Sequence, residues 1–179
     1  MKGFLNYLYM SDKNVFIYLN KRLRCRVLDV LMPKITHLGG GTFAVFSCIL
    51  LYVFGQGEMR IAAAEAIITV TGSQGIVQLF KNLIYRKRPY MVIPDVNTFW
   101  KRLLKDYSFP SGHTTAGFSL AVALGLNFPS YSLLSYFVAT MIGFSRIYTG
   151  MHYPSDVISG ALLGAVFAFL THAARGLFV

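Results

Sequence analysis

Charge is scarce in this chain. Asp, Glu, Lys and Arg make up 13% of its 179 residues, where a soluble globular domain carries about 25%. Acidic residues are the rarest part of that set, 7 against 17 Lys and Arg, for a formal net charge of +10. Cysteine is almost absent: Cys25 and Cys48 stand alone, in no CxxC or metal-ligand spacing, which excludes a disulfide scaffold. No internal repeat of a soluble solenoid type and no low-complexity tract is present, and the N-terminus does not read as a cleaved signal peptide, because Asp12 and Lys13 interrupt the apolar stretch after Lys2. What fills the chain is apolar residue, 55% of it, which excludes disorder and a collagen-like fibre and points to an integral membrane protein. A bilayer core of about 30 Å needs about 20 apolar residues per helix, so five spans use roughly 100 residues and leave one compact bundle with no second domain.

An excess of cations suits nucleic acid, anionic lipid or a phosphate-bearing substrate, and position decides among the three. The basic residues cluster at the ends of apolar runs, where long side chains reach anionic lipid head groups, and no soluble basic domain is left to hold nucleic acid.

The expected fold class is all-α, a membrane bundle of about five transmembrane helices preceded by an amphipathic interfacial helix. Residues 1–35 form the interfacial segment, with Phe16, Leu19, Leu23, Val27, Val30 and Leu31 on one stripe of a helix over 13–32 that Pro33 closes, and residues 36–179 form the transmembrane domain. Spans are expected at 36–54, 61–80, from 114 to a break at 127–130, from there to 144, and at 157–174. Gly39, Gly40 and Gly41 allow close backbone approach at the start of the first. The second holds Glu65, Thr69, Thr71, Ser73, Gln74 and Gln78 and should face the bundle interior. Parity puts the polar loops 81–110 and 145–156 on one membrane face.

Those two loops and the helix start at 110–113 hold the residues with chemistry. Lys81 and Arg88 are seven apart, two helical turns, so a helix continuing to Pro89 would point both cations the same way, toward an anion. The bland alternative, snorkelling to the interface, suits Arg86 and Lys87 better. Pro110, Ser111, Gly112 and His113 read as a helix start, with Ser111 as N-cap and Gly112 leaving room for an anion near free N–H groups, or as simple capping with a polar residue at the interface. Ser145 and Arg146 precede His152, and Asp156 follows it by four, at the start of a helix begun by Pro154. That aspartate could reach back to a ring N–H and free the other nitrogen for attack, or the pair could be a structural hydrogen bond. The four histidines, at 37, 113, 152 and 172, show no metal-ligand spacing, so no metal is expected.

Taken together, Lys81-x6-Arg88-Pro89, Pro110-Ser111-Gly112-His113 and Ser145-Arg146-x5-His152-x3-Asp156 resemble the three-part signature of the type 2 phosphatidic acid phosphatase (PAP2) family of membrane lipid phosphatases, with no departure in a defining residue. The resemblance implies that His152 is the nucleophile and forms a phosphohistidine, that Asp156 orients it and makes it more basic, and that His113 protonates the leaving oxygen. It implies that Lys81, Arg88, Ser111, Gly112 and Arg146 bind the phosphoryl oxygens with no metal or other cofactor. The implied substrates are membrane lipid phosphates: undecaprenyl diphosphate, phosphatidylglycerol phosphate, phosphatidic acid or lipid A 1-phosphate. A lipid phosphotransferase and a non-catalytic membrane interaction protein on the same fold are the alternatives. The expected location is the cytoplasmic membrane, multi-pass. The positive-inside rule favours a site on the cytoplasmic face, whereas bacterial relatives imply the outer face, which is the orientation expected here.

Overall fold

Bulky apolar side chains lie outside this bundle and small ones inside, the reverse of a soluble protein. In the computed structural model, which describes residues 2–100, 103 and 105–177, Phe46, Val53 and Phe54, Leu133, Leu134 and Phe137, and Ile158, Leu162, Val166 and Leu170 are all more than half exposed. The interior is built from Ala44, Ala66, Ala116, Ala123 and Ala168, with Thr69, Ser73, Thr115 and Ser119 fully buried. A water-facing surface of that kind would drive aggregation, whereas lipid gains nothing from hiding it, and close helix contact through small residues is how helices associate in lipid.

Helix α1 (Lys2–Ile17) runs into a π-turn (Tyr18–Arg22). Helices α2 (Arg26–Leu38) and α3 (Gly41–Phe54) follow, then α4 (Glu58–Leu83), a single turn α5 (Pro89–Val92), α6 (Gly112–Asn127), α7 (Ser132–Tyr148) and α8 (Pro154–Ala173). The last three start and stop close to where the sequence placed them. The N-terminal region does not follow the expected single helix. It breaks between the π-turn and Arg26, where buried Asn20 is clamped: its side chain donates to the carbonyls of Asn97 and Tyr148 (3.0 and 2.7 Å) and accepts from the Asn97 N–H (3.0 Å). Pro33 lies inside α2 instead of ending it. Proline removes one hydrogen bond, to the carbonyl four residues back, and here the next turns are pinned by Met32 and Thr36, each 1% exposed, so packing outweighs the loss. The basic-loop residues Lys101 and Arg102 lie outside the described residues.

Among the described residues, α8 alone is long and apolar enough to cross a bilayer, and α2 with α3 passes as one broken span bent by 56°. Helices α6 and α7, at 16 and 17 residues, are only about 24–26 Å long. In α4, Glu65, Thr69 and Ser73 face inward as expected, while Thr71 is exposed.

Helix α6 is central, contacting α4, α7 and α8. Its closest partner is α8, whose Gly160 and Gly164 let the backbones touch: a Cβ on Gly164 would stand 2.8 Å from the Ser119 nitrogen, and one on Gly160 would stand 2.7 Å from the Ser111 carbonyl oxygen. Gly164→Ala is therefore expected to destabilise the protein by about 1–3 kcal/mol, the usual cost of overpacking, seen as a lower midpoint of thermal unfolding in detergent; an unchanged midpoint would show that α6 and α8 are free to part. Successive helices of the α4, α6, α7, α8 core run antiparallel. One end therefore collects the C-termini of α4 and α7 and the N-termini of α6 and α8. The other end is tied by Glu65, which accepts from Asn127 (3.0 Å) and meets His172 Nδ1 (3.0 Å), and by Arg175, which donates to Asn127 Oδ1 and Glu58.

Candidate active site

Six of the eight residues singled out in the sequence line one cavity of about 170 Å³ at the first of those ends: Lys81, Arg88, Gly112, His113, Arg146 and His152, joined by Gly41, Gln74, Val77 and Gln78. Lys81 comes from the last turn of α4 and Arg146 from the last turn of α7. Arg88 does not ride on a continued helix as the seven-residue spacing suggested. Helix α4 stops at Leu83, and Arg88 arrives on an extended stretch just before Pro89. The two cations still converge, because both bind Asp106.

Ser111 and Asp156 stand behind the cavity, each fully buried. Ser111 is the N-cap of α6, accepting from the Thr114 N–H at 3.5 Å, as its place before Gly112 indicated. The first N–H groups of a helix have no intrahelical partner, and Gly112 presents that end of α6 to the cavity. Gln74 Nε2 steadies it by donating to the Gly112 carbonyl (2.9 Å). The glycine run before α3 does permit close approach: a Cβ on Gly39 would stand 2.9 Å from the His113 carbonyl oxygen.

His152 is 1% exposed on the turn between α7 and α8. Its Nδ1 lies 2.7 Å from the Ser108 carbonyl oxygen, which has no proton to give, so Nδ1 carries the hydrogen and Nε2 keeps its lone pair. Nε2 accepts from Arg88 Nη1 at 3.0 Å. Burial, and then the charges of Arg88, Arg146 and Lys81, hold the His152 imidazole well below the usual histidine range and therefore neutral. The expected hydrogen bond from His152 to Asp156 is not formed. Asp156 Oδ2 lies 3.6 Å from Nδ1, because Ser108 takes the ring proton and Tyr153 N–H occupies Oδ2 at 2.9 Å. The carboxylate stands on the Nδ1 side of the ring, while Arg88 meets Nε2.

Arg88 is 1% exposed and uses all three nitrogens. Nε and Nη2 donate to Asp106, Nη2 at 2.8 Å, and Nη1 also donates to the Met151 carbonyl at 3.0 Å. Lys81 Nζ holds the other Asp106 oxygen at 2.5 Å. Burial would raise the Asp106 carboxyl, but Lys81 and Arg88 outweigh it and keep the group below the usual carboxylate range. Arg146, 3% exposed, donates from Nη1 to Thr36 Oγ1 at 2.8 Å, and its buried Nε has no partner among the described residues. An unpaired buried guanidinium N–H is costly, and the same side chain lines the cavity.

Asp106, Ser108, Thr36 and Gln74 were not foreseen. Asp106 left one signal, an acid in a basic loop, and Gln74 another, a polar residue in a span expected to face the interior; Ser108 and Thr36 left none. Arg86, expected to snorkel, points inward and binds Asp12 and Asp156, both at 2.5 Å. The site as built offers three cations, the N-terminus of α6 and a neutral, oriented imidazole nitrogen around a cavity of about 170 Å³.

The family model of the PAP2 superfamily matches residues 62–178. Over 156 residues the chain is 31% identical to the lipid A 1-phosphatase of Rhizobium johnstonii, covering 76% of this chain and 64% of that protein. It is 30% identical over 132 residues to the bacitracin transport permease protein BcrC of Bacillus licheniformis, covering 72% of this chain and 64% of that one. The chain thus spans just under two thirds of the length of both relatives. The crystal structure of LpxE from Aquifex aeolicus superposes with a TM-score of 0.79 at 28% identity, over 89% of this chain and 93% of that one.

Proposed function

The chain belongs to the PAP2 superfamily, and from that membership we propose that it is a metal-independent phosphatase of membrane lipid phosphates or diphosphates. The observation that carries the reading is the meeting of His152 Nε2, unprotonated, with Lys81, Arg88 and Arg146 in one cavity. Cations alone would make an anion-binding site; a positioned nucleophile among them makes a phosphoryl-transfer site.

In the proposed reaction the phosphate enters from the membrane surface and competes with Asp106 for Lys81 and Arg88 and with Nε2 for Arg88. Arginine forks and helix N–H groups hold its oxygens and meet the charge that builds in the transition state. His152 Nε2 forms a bond to phosphorus as the bond to the lipid oxygen breaks, and His113 gives that oxygen a proton. Water then attacks the phosphohistidine, His113 takes the water's proton, the P–N bond breaks and phosphate leaves. The lipid tail remains among the helices of a multi-pass membrane bundle, with the site on the outer face of the cytoplasmic membrane.

The relative named as a lipid A 1-phosphatase brings lipid A 1-phosphate into the substrate class, beside undecaprenyl diphosphate, phosphatidylglycerol phosphate and phosphatidic acid. The test is phosphate release from each of the four lipids by purified protein in detergent containing EDTA. Release from at least one is expected, undiminished by the chelator. No release from any, or release only with added Mg²⁺, would overturn the reading.

A further inference from the structure

We propose that Asp12 and Arg86 are positioning residues for Asp156 and His152, which makes the N-terminal helix α1 part of the machinery of the site; this rests on the phosphatase reading above. Neither residue lines the cavity. Both are committed behind it, in a chain of contacts that starts on α1 and ends at the imidazole.

Asp12 has no free oxygen. Oδ1 accepts from the Ser155 N–H at 2.9 Å, and Oδ2 accepts from the Ser155 hydroxyl at 2.6 Å and from Arg86 Nη2 at 2.5 Å. Arg86 Nη1 donates to Asp156 Oδ1 at 2.5 Å and to Ser155 Oγ at 2.7 Å. The guanidinium lies over the Tyr153 ring, 4.1 Å from its centroid, which fixes its plane. Phe16, one turn after Asp12, packs on the same ring at 5.7 Å and docks α1 over the catalytic turn. The other oxygen of Asp156 accepts from the Tyr153 N–H and stands 3.6 Å from His152 Nδ1.

The charge count gives this arrangement its purpose. One guanidinium between two carboxylates leaves a net negative charge on the Nδ1 side of His152, while Arg88 meets Nε2. The imidazole gains positive charge as its bond to phosphorus forms, and three neighbouring cations oppose that. A residual negative charge behind the ring favours it. Without Asp12, Arg86 would neutralise Asp156 alone and the ring would lose that support. Without Arg86, a buried and a partly buried carboxylate would repel, and Asp156 would keep only the Tyr153 N–H to hold it. Arginine is suited to the task because its planar fork reaches both acids at once.

The test compares Asp12→Asn, Arg86→Gln and the double variant with the unmodified full chain in detergent. Turnover is read on whichever lipid of the panel is hydrolysed fastest. Two anions are titrated by calorimetry: sulfate, which needs only the cations, and orthovanadate, which also takes a bond from His152 Nε2. Asp12→Asn is expected to lower kcat about 10-fold and Arg86→Gln about 100-fold, within the range of couplings between residues of one network. KM and sulfate affinity should stay within about twofold, orthovanadate affinity should fall in the same order as kcat, and the double variant should be no slower than Arg86→Gln. The proposal is overturned if Asp12→Asn keeps full kcat and orthovanadate affinity, if sulfate affinity falls in step with kcat, or if the two losses multiply in the double variant. Should Arg86→Gln not fold, Asp12→Asn decides. If the unmodified chain hydrolyses no lipid, the phosphatase reading fails, and orthovanadate against sulfate still tests the relay.

Discussion

His152→Ala is expected to lose turnover on every lipid phosphate by at least about 10⁴-fold, because the variant retains the anion site but has no group to form the bond to phosphorus. The cavity contains one other imidazole, His113, on the first turn of α6. It is held by a different helix end and, among the described residues, has no equivalent of the Ser108 carbonyl that fixes the His152 tautomer at 2.7 Å. Phosphate and sulfate should still bind, since Lys81, Arg88 and Arg146 are untouched. An unchanged elution profile in detergent and an unchanged sulfate affinity would show that the fold survives. Phosphate release near the unmodified rate by this variant would remove His152 from the chemistry.

His113→Ala should behave differently, and the difference depends on the leaving group. A lipid alkoxide is strongly basic and leaves poorly without a proton, so loss of the general acid should reduce turnover of phosphatidic acid by about 10²- to 10⁴-fold. On p-nitrophenyl phosphate, whose phenolate leaves readily, the loss should be much smaller, whereas His152→Ala should be inactive on both. Both substrates must be turned over by the unmodified protein with chemistry limiting the rate. Equal losses for the two variants on both substrates would contradict the division of roles, even with the phosphatase assignment intact.

The helix starts that carry these residues were legible in the sequence because they rest on short spacings that secondary structure preserves. Ser111 next to Gly112 and His113 marks a helix start wherever that helix goes, and Pro154 just ahead of Asp156 marks another. The contacts that were missed join residues far apart in the chain. Arg86 looked like one more interfacial cation because its partners, Asp12 and Asp156, are 74 and 70 positions away. Thr36 meets Arg146 across 110 positions, and does so because α2 runs through Pro33, a continuation that local propensity argues against. The same limit explains the N-terminal helix. Its stripe of apolar residues suited one continuous helix, and it is divided where Asn20, Arg24 and Cys25 meet Asn97 and Tyr148, more than 70 positions away. The convergence of Lys81 and Arg88 was read correctly from a wrong premise, since Asp106 gathers them and not a shared helix face. The expected Asp156 hydrogen bond failed for a related reason: the i, i+4 spacing places the carboxylate near the ring, but the Ser108 carbonyl, 44 positions away, takes the proton.

The central claim is that the phosphoryl group passes through a covalent bond to His152. It is tested most directly by acid-free quenching of the protein during turnover of a lipid labelled with ³²P in its phosphate, followed by peptide mapping of the protein-bound label. The account predicts label on the peptide containing His152, stable in base, lost in acid as a phosphohistidine is, and missing from His152→Ala. Steady phosphate release with no label on the protein at any quench time, or label on another residue, would contradict it.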